Sequence, residues 1–119
     1  MPTIGISLLT GKDRFAPGER IAAELSIFNR SGRPAVLHFP TAQRYDFAVE
    51  DKHGTQVWQW SDGRSFAQML GSESIGPGRE VITFAESIAA PTEPGRYRLV
   101  GRLAPTELKL SAAVWVVVE

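Results

Sequence analysis

Apolar and polar positions alternate along much of this chain. Ile21, Ala23, Leu25 and Ile27 interleave with Ala22, Glu24, Ser26 and Phe28, the period of two that turns one set of side chains to a core and the other away from it. Tyr45, Phe47 and Val49 alternate with Asp46, Ala48 and Glu50, and Tyr97, Leu99 and Leu103 stand among Arg96, Arg98 and Arg102. These segments predict half-solvated strands. Further strands are expected over residues 3–9, 34–39, 55–60, 80–86 and 110–118, the last rich in Val around Trp115, which brings the total to about eight.

Turn-forming clusters separate them: Ala16-Pro17-Gly18, Asn29-Arg30-Ser31-Gly32, His53-Gly54, Ser61-Asp62-Gly63, Gly76-Pro77-Gly78 and Glu93-Pro94-Gly95. Their spacing leaves hairpin-length gaps, which suits antiparallel sheets better than strand–helix–strand units. Only residues 65–70 read as helical. There Phe66, Met69 and Leu70 fall at i, i+3 and i+4, enough for a short turn that Gly71 would stop. Tyr97 follows a Pro-Gly turn at the start of a late strand, where sandwiches of immunoglobulin type often carry a tyrosine bonded to the adjoining loop backbone. The pattern therefore predicts an all-β, immunoglobulin-like antiparallel sandwich of about eight strands with one short helical turn. A chain of 119 residues suits one such domain over residues 1–119.

Charge and composition narrow the function. Lys plus Arg number 13 and Asp plus Glu also 13, so no net field draws in nucleic acid or an anionic membrane, and neither is expected as a partner. The chain has no Cys and only two His, His38 and His53, so no metal and no cofactor is expected. The longest late apolar stretch, residues 112–118, falls far short of the ~20 residues needed to span a bilayer. The N-terminal residues have no charged region followed by an apolar stretch. Together with the lack of Cys, this leads to the expectation of a cytoplasmic protein.

Catalytic sets are equally sparse. No G-x-S-x-G elbow is present, His38 sits between Leu37 and Phe39 on a strand, and His53 precedes Gly54 in a turn. Glu50 and Asp51 are neighbours on a strand end, so their carboxylates point to opposite faces. No catalytic residue and no enzyme activity is expected. The 10 Arg against 3 Lys leave two readings for the stripe of Arg96, Arg98 and Arg102: a solvated sheet face, or a face turned to a protein partner.

The densest cluster of large side chains lies in residues 57–70, and it supplies the candidate partner-binding residues Trp58, Trp60, Arg64, Phe66, Met69 and Leu70. Trp58 and Trp60, two apart, share a strand face. In one reading they pack as a core corner, with Phe66 and Met69 or Leu70 closing over them. In the other, part of residues 61–71 forms an exposed anchor loop, because Trp, Met and Arg are favoured at binding hot spots.

Tyr45-Asp46-Phe47 followed by Trp58-Gln59-Trp60-Ser61 is the most specific pairing of motifs in the chain. Around it lie Phe28-Asn29-Arg30-Ser31, Val36-Leu37-His38-Phe39, Gly54, Phe66, Leu70, Pro77-Gly78, Phe84 and Pro94-Gly95-Arg96-Tyr97. On these residues the sequence resembles the bacterial intracellular proteinase inhibitor family of BsuPI type, over roughly residues 20–103. The family often has a Trp shortly after the position of Phe84, which this chain lacks. The resemblance implies an immunoglobulin-like sandwich that binds a protein partner, a subtilisin-like serine proteinase. The alternative is a structural or adhesive β-sandwich interaction module with no proteinase target.

Overall fold

The computed structural model describes residues 4–77, 81–104 and 109–119. Ten strands make up most of them: β1 (Ile4–Leu9), β2 (Arg14–Phe15), β3 (Arg20–Asn29), β4 (Ala35–Phe39), β5 (Tyr45–Glu50), β6 (Gln56–Gln59), β7 (Gly71–Ile75), β8 (Val81–Ala89), β9 (Gly95–Leu103) and β10 (Ser111–Val118). Three form a sheet in the order β1-β3-β8, and five form a second in the order β2-β10-β9-β5-β6. β4 and β7 pair as a small third sheet. Every pairing is antiparallel except that of β2 with β10. This is an immunoglobulin-like β-sandwich.

The alternation in β3 closes the core as its sequence dictates. Ile21, Ala23, Leu25 and Ile27 are buried, and they meet Phe47, Val49, Leu99, Val116 and Val118 of the five-stranded sheet or the residues of the β4–β7 end. That end holds Leu37, Phe39 and Ile75 against Ile27 and Leu103. The sheets come close where β9 carries Gly101: a Cβ there would fall 2.9 Å from Leu25 Cδ1 and 3.2 Å from Phe47 Cε1. Tyr97 is buried, and its hydroxyl donates to the Glu93 carbonyl at 2.7 Å, the loop-pinning role expected of it.

Asn29 ends β3 fully buried and satisfies its whole amide. Nδ2 donates to the carbonyls of Arg33 at 2.7 Å and Ile75 at 3.1 Å, while Oδ1 accepts from the backbone N–H and hydroxyl of Ser31. The Asn-x-Ser turn thereby fastens β3 to the end of β7.

Three expectations are corrected. Residues 65–70 form no helix, and among the described residues there is none. Three apolar positions make a single turn, too few bonds to offset helix nucleation, and the Ala67 carbonyl instead accepts from the N–H of Ala42 at 2.9 Å. Gly71 opens β7 rather than stopping a helix. β5 is not half-solvated: Asp46 and Ala48 are buried along with Phe47 and Val49, because β5 is flanked by β9 and β6 and its outer face is partly roofed by side chains from β6. Thr3, Gly78 and Glu80, expected at two strand starts and a turn, lie outside the described residues.

A candidate partner-binding loop

Asp46 organises the exit from β6. Its side chain is almost fully buried. It accepts hydrogen bonds from Gln59 Nε2 at 2.7 Å, Ser61 Oγ at 2.7 Å, Ser61 N–H at 3.0 Å and Phe47 N–H at 2.9 Å. A buried carboxylate requires such donors to offset its lost hydration. The bonds turn the chain sharply after Gln59, and two further turn bonds, Asp62 N–H to Gln59 O and Arg64 N–H to Ser61 O, complete the reversal.

Beyond this turn a row of aromatic rings closes the seam between the two large sheets. Trp60 lies 4.9 Å from Tyr45 and 5.9 Å from Phe66, ring centre to ring centre, and Tyr45 lies 4.9 Å from Phe84. The Tyr45 hydroxyl donates to the Glu86 carboxylate. Burial, with the negative charge of Glu86 holding the proton in place, pushes the Tyr45 hydroxyl up to about 12. Arg64 folds back over this row: its guanidinium sits 4.1 Å from the Trp60 ring centre and its Nε donates to the Trp60 carbonyl at 2.8 Å. The Trp60 indole N–H is buried with no acceptor among the described residues, a cost set against ring packing by Tyr45, Phe66 and Arg64.

The far side of the loop is fixed differently. Gly71 pairs with Phe39 at the start of β7. Arg44 packs beneath, its guanidinium 4.6 Å above the Phe39 ring, its Nε bonded to Glu73 at 3.1 Å and its Nη1 to the Thr41 carbonyl at 3.0 Å. A Cβ on residue 71 would fall 2.5 Å from Arg44 Nη2, so glycine leaves room for that side chain. Between the Ala42–Ala67 bond and the β4–β7 pairing, Met69 is 66% exposed and Leu70 86% exposed. Two adjacent large apolar side chains stand in water on a short stretch tethered at both ends.

The six residues singled out in the sequence therefore divide into three groups. Trp60, Arg64 and Phe66 form the packed base of the loop; Met69 and Leu70 form its exposed tip; Trp58 is elsewhere. Its strand position does share a face with Trp60, opposite Val49, but its side chain turns to a different place: Trp58 and Val57 line a groove of about 390 Å³ with Ala89, Pro91 and Tyr97. The base packs as the core-corner reading expects, and the tip is exposed, as an anchor loop requires. Met69 and Leu70 do not close over the tryptophans. The residues that hold the loop, Asp46, Gln59, Ser61 and Ala42, escaped the pattern reading, although the spacing of Tyr-Asp-Phe and Trp-x-Trp-Ser contains the Asp46–Ser61 bond.

The stripe of Arg96, Arg98 and Arg102 lies on the exposed outer face of β9. Arg96 stacks over Trp115 at 4.2 Å, Arg98 meets Glu50 at 3.3 Å, and Arg102 approaches Asp46 at 3.8 Å. His38 is exposed on β4 and His53 in its turn. Among the described residues no group of three or more His, Asp or Glu gathers as a metal site requires, and no helix is long and apolar enough to cross a membrane.

The family model described as BsuPI, intracellular proteinase inhibitor, matches residues 8–108, a wider span than the motifs alone suggested. No curated protein matches the chain. Among solved structures, the CARDB domain of the PF1109 protein from Pyrococcus furiosus is similar at 19% identity and a TM-score of 0.55, with 98% of this chain and 94% of that chain covered. A crystal structure of the same domain in complex with di-metal ions is similar at 16% identity and a TM-score of 0.55, covering 98% of this chain and 87% of that one. The sporulation control protein Spo0M from Bacillus subtilis is similar at 13% identity and a TM-score of 0.57, over 99% of this chain and 49% of that one. At such identities these likenesses establish the sandwich fold alone.

Proposed function

The chain belongs to the BsuPI family of intracellular proteinase inhibitors, and from that membership we propose that it inhibits a subtilisin-like serine proteinase by presenting residues 68–71 to the enzyme's cleft. The observation that carries this reading is the state of the tip: non-helical, with Met69 66% and Leu70 86% exposed and the chain held on either side by the Ala42–Ala67 bond and by β7. An inhibitor that mimics substrate must offer an extended segment already shaped for the cleft, since ordering a floppy one would consume the binding energy. Subtilisin-like enzymes accept large apolar groups, and Met69 or Leu70 supplies one.

A trypsin-like pocket would want a free basic side chain instead. Arg64 is the basic residue of this loop, and its guanidinium is committed to the Trp60 ring and carbonyl. This supports an apolar primary contact. The protein performs no chemistry of its own in this reading; it acts in the cytoplasm by occupying the active site of its target.

The test is a titration of residual activity of a subtilisin-like and a trypsin-like proteinase against the protein. Stoichiometric loss of the first activity, weakened at least about tenfold by Leu70→Asp or Met69→Asp, is the expected result. Full activity of the subtilisin-like enzyme at micromolar excess, or inhibition unaffected by both substitutions, would sink the proposal.

A further inference from the structure

β8 is the outermost strand of the three-stranded sheet, paired with β3 on one side only. The phase of that pairing is set by the bond from Ala90 N–H to the Glu19 carbonyl at 2.8 Å, which continues the register Arg20↔Ala89, Ile21↔Ile88 and onward. In an antiparallel ladder, alternate residues turn both backbone groups to the same side. Ile88, Glu86, Phe84 and Ile82 therefore bond to β3, while Ala89, Ser87, Ala85, Thr83 and Val81 direct their N–H and C=O groups outward. Among the described residues none of those outward groups has a backbone partner.

Exposed edges of this length are ordinarily protected by a lysine, a proline, a bulge, a short strand or an inward-pointing charge. β8 has only the last, Glu86, and its carboxylate is held by the Tyr45 hydroxyl. The strand runs nine residues without a register shift, and its outward row contains neither a charge nor a proline. The row is also nearly symmetric about its centre. Laid antiparallel against itself, it sets Val81 opposite Ala89, Thr83 opposite Ser87 and Ala85 opposite Ala85, so each outward N–H meets an outward C=O. On the other face Ile82 meets Ile88 and Phe84 meets Glu86. No like charges fall opposite one another, and the chain's formal net charge of zero gives two copies no long-range repulsion.

We propose that a second copy of this chain pairs with β8 about a two-fold axis at Ala85, joining two three-stranded sheets into one of six. About ten backbone hydrogen bonds form across the axis, two for each of the five outward-facing pairs. The added strand also covers what remains exposed of Ile82 and Phe84, which face inward and are only partly buried at this edge. The inference rests on the β8 edge and stands whether or not the chain inhibits a proteinase.

The full chain is measured by sedimentation over a range of concentrations, alone and as Ala85→Pro and Ala85→Lys. Proline removes an outward N–H that β3 does not use, so the monomer keeps its ladder; lysine sets two positive charges face to face on the axis. Circular dichroism verifies that each variant is folded. Wild-type chain is expected to dimerise as concentration rises, with dissociation at least about tenfold easier in both variants.

Because the chain contains no Cys, Ala85→Cys provides a second readout. Hydrogen-bonded antiparallel partners lie about 5.5 Å apart at Cα, inside the range of about 4.4–6.8 Å that a disulfide spans. Mild oxidation should link the Ala85→Cys chains into dimers and leave Leu9→Cys, at an exposed site on the other edge of the same sheet, largely monomeric. A wild-type chain that remains monomeric at every concentration, or an Ala85→Cys chain that oxidises no faster than the Leu9→Cys control, overturns the proposal.

Discussion

Replacing Asp46 with alanine tests whether a single buried carboxylate holds the loop in place. Its oxygens accept three hydrogen bonds from across the β5–β6 turn, at 2.7 Å, 2.7 Å and 3.0 Å. Bonds to a charged acceptor contribute about 1.5–3 kcal/mol each when the partner is left stranded. Gln59 and Ser61 are only half-buried and recover part of this from water, which brings each to about 1 kcal/mol and the sum to about 3 kcal/mol. Arg102 adds little, since it stands 3.8 Å away and largely in solvent. For a domain of this size the loss corresponds to a fall in Tm of about 12 °C. Urea denaturation followed by tryptophan fluorescence measures it, with Trp60 as the reporter nearest the change. Ser61→Ala alone should cost about 1 kcal/mol, and the double variant should cost at least about 0.5 kcal/mol less than the sum, because the residues share a bond. Glu50→Ala, on the same strand but paired with Arg98 at the surface, should cost under about 1 kcal/mol. If Asp46→Ala unfolds within about 0.5 kcal/mol of wild type, the carboxylate is not the anchor described.

Three other outcomes are expected. Gly101→Ala drives a methyl group into Leu25 and Phe47, 2.9 Å and 3.2 Å away, and should destabilise by about 1–3 kcal/mol in chemical denaturation. Tyr97→Phe removes the bond to the Glu93 carbonyl and should cost about 1 kcal/mol by the same measurement. Tyr45, raised to about 12, keeps its proton in the folded chain after the unfolded chain has begun to lose it near pH 10. Its contribution to stability is thus complete below about pH 10 and disappears as pH climbs toward 12. Absorbance at alkaline pH should show late tyrosine ionisation that Tyr45→Phe reduces, leaving the ionisation of Tyr97, which burial also pushes up.

The framework was legible wherever burial differs between the two faces of a strand. β3 and β9 announce themselves because Ile21, Leu25, Tyr97 and Leu99 are buried while their neighbours in the chain are exposed or only partly buried. β7 was hidden because Gly-Ser-Glu-Ser-Ile carries a single apolar residue, and its pairing with β4 depends on backbone bonds with little side-chain signature. β2 is two residues long, below any period. The phantom helix at residues 65–70 came from three apolar residues whose helical spacing is incidental: Phe66 packs on Trp60, whereas Met69 and Leu70 pack on nothing of comparable size. Asp46 is the opposite case. Alternation assigns it to solvent, and its burial arises from Gln59 and Ser61, residues 13 and 15 positions later. Within the candidate site, the residue types of the tip were readable, but their tethering was not.

That tethering bears on what would follow if a proteinase cut the loop after Met69. The upstream end would remain fastened through Ala67 to Ala42 and through Phe66 to Trp60, and the downstream end would remain in the β4–β7 ladder. Two fresh termini that cannot drift apart keep a high effective concentration of amine beside the acyl-enzyme, so resynthesis of the peptide bond competes with water and with departure of the fragments. A floppy loop in the same position would be digested; one clamped on both sides of the scissile bond would make cleavage reversible and keep the enzyme occupied.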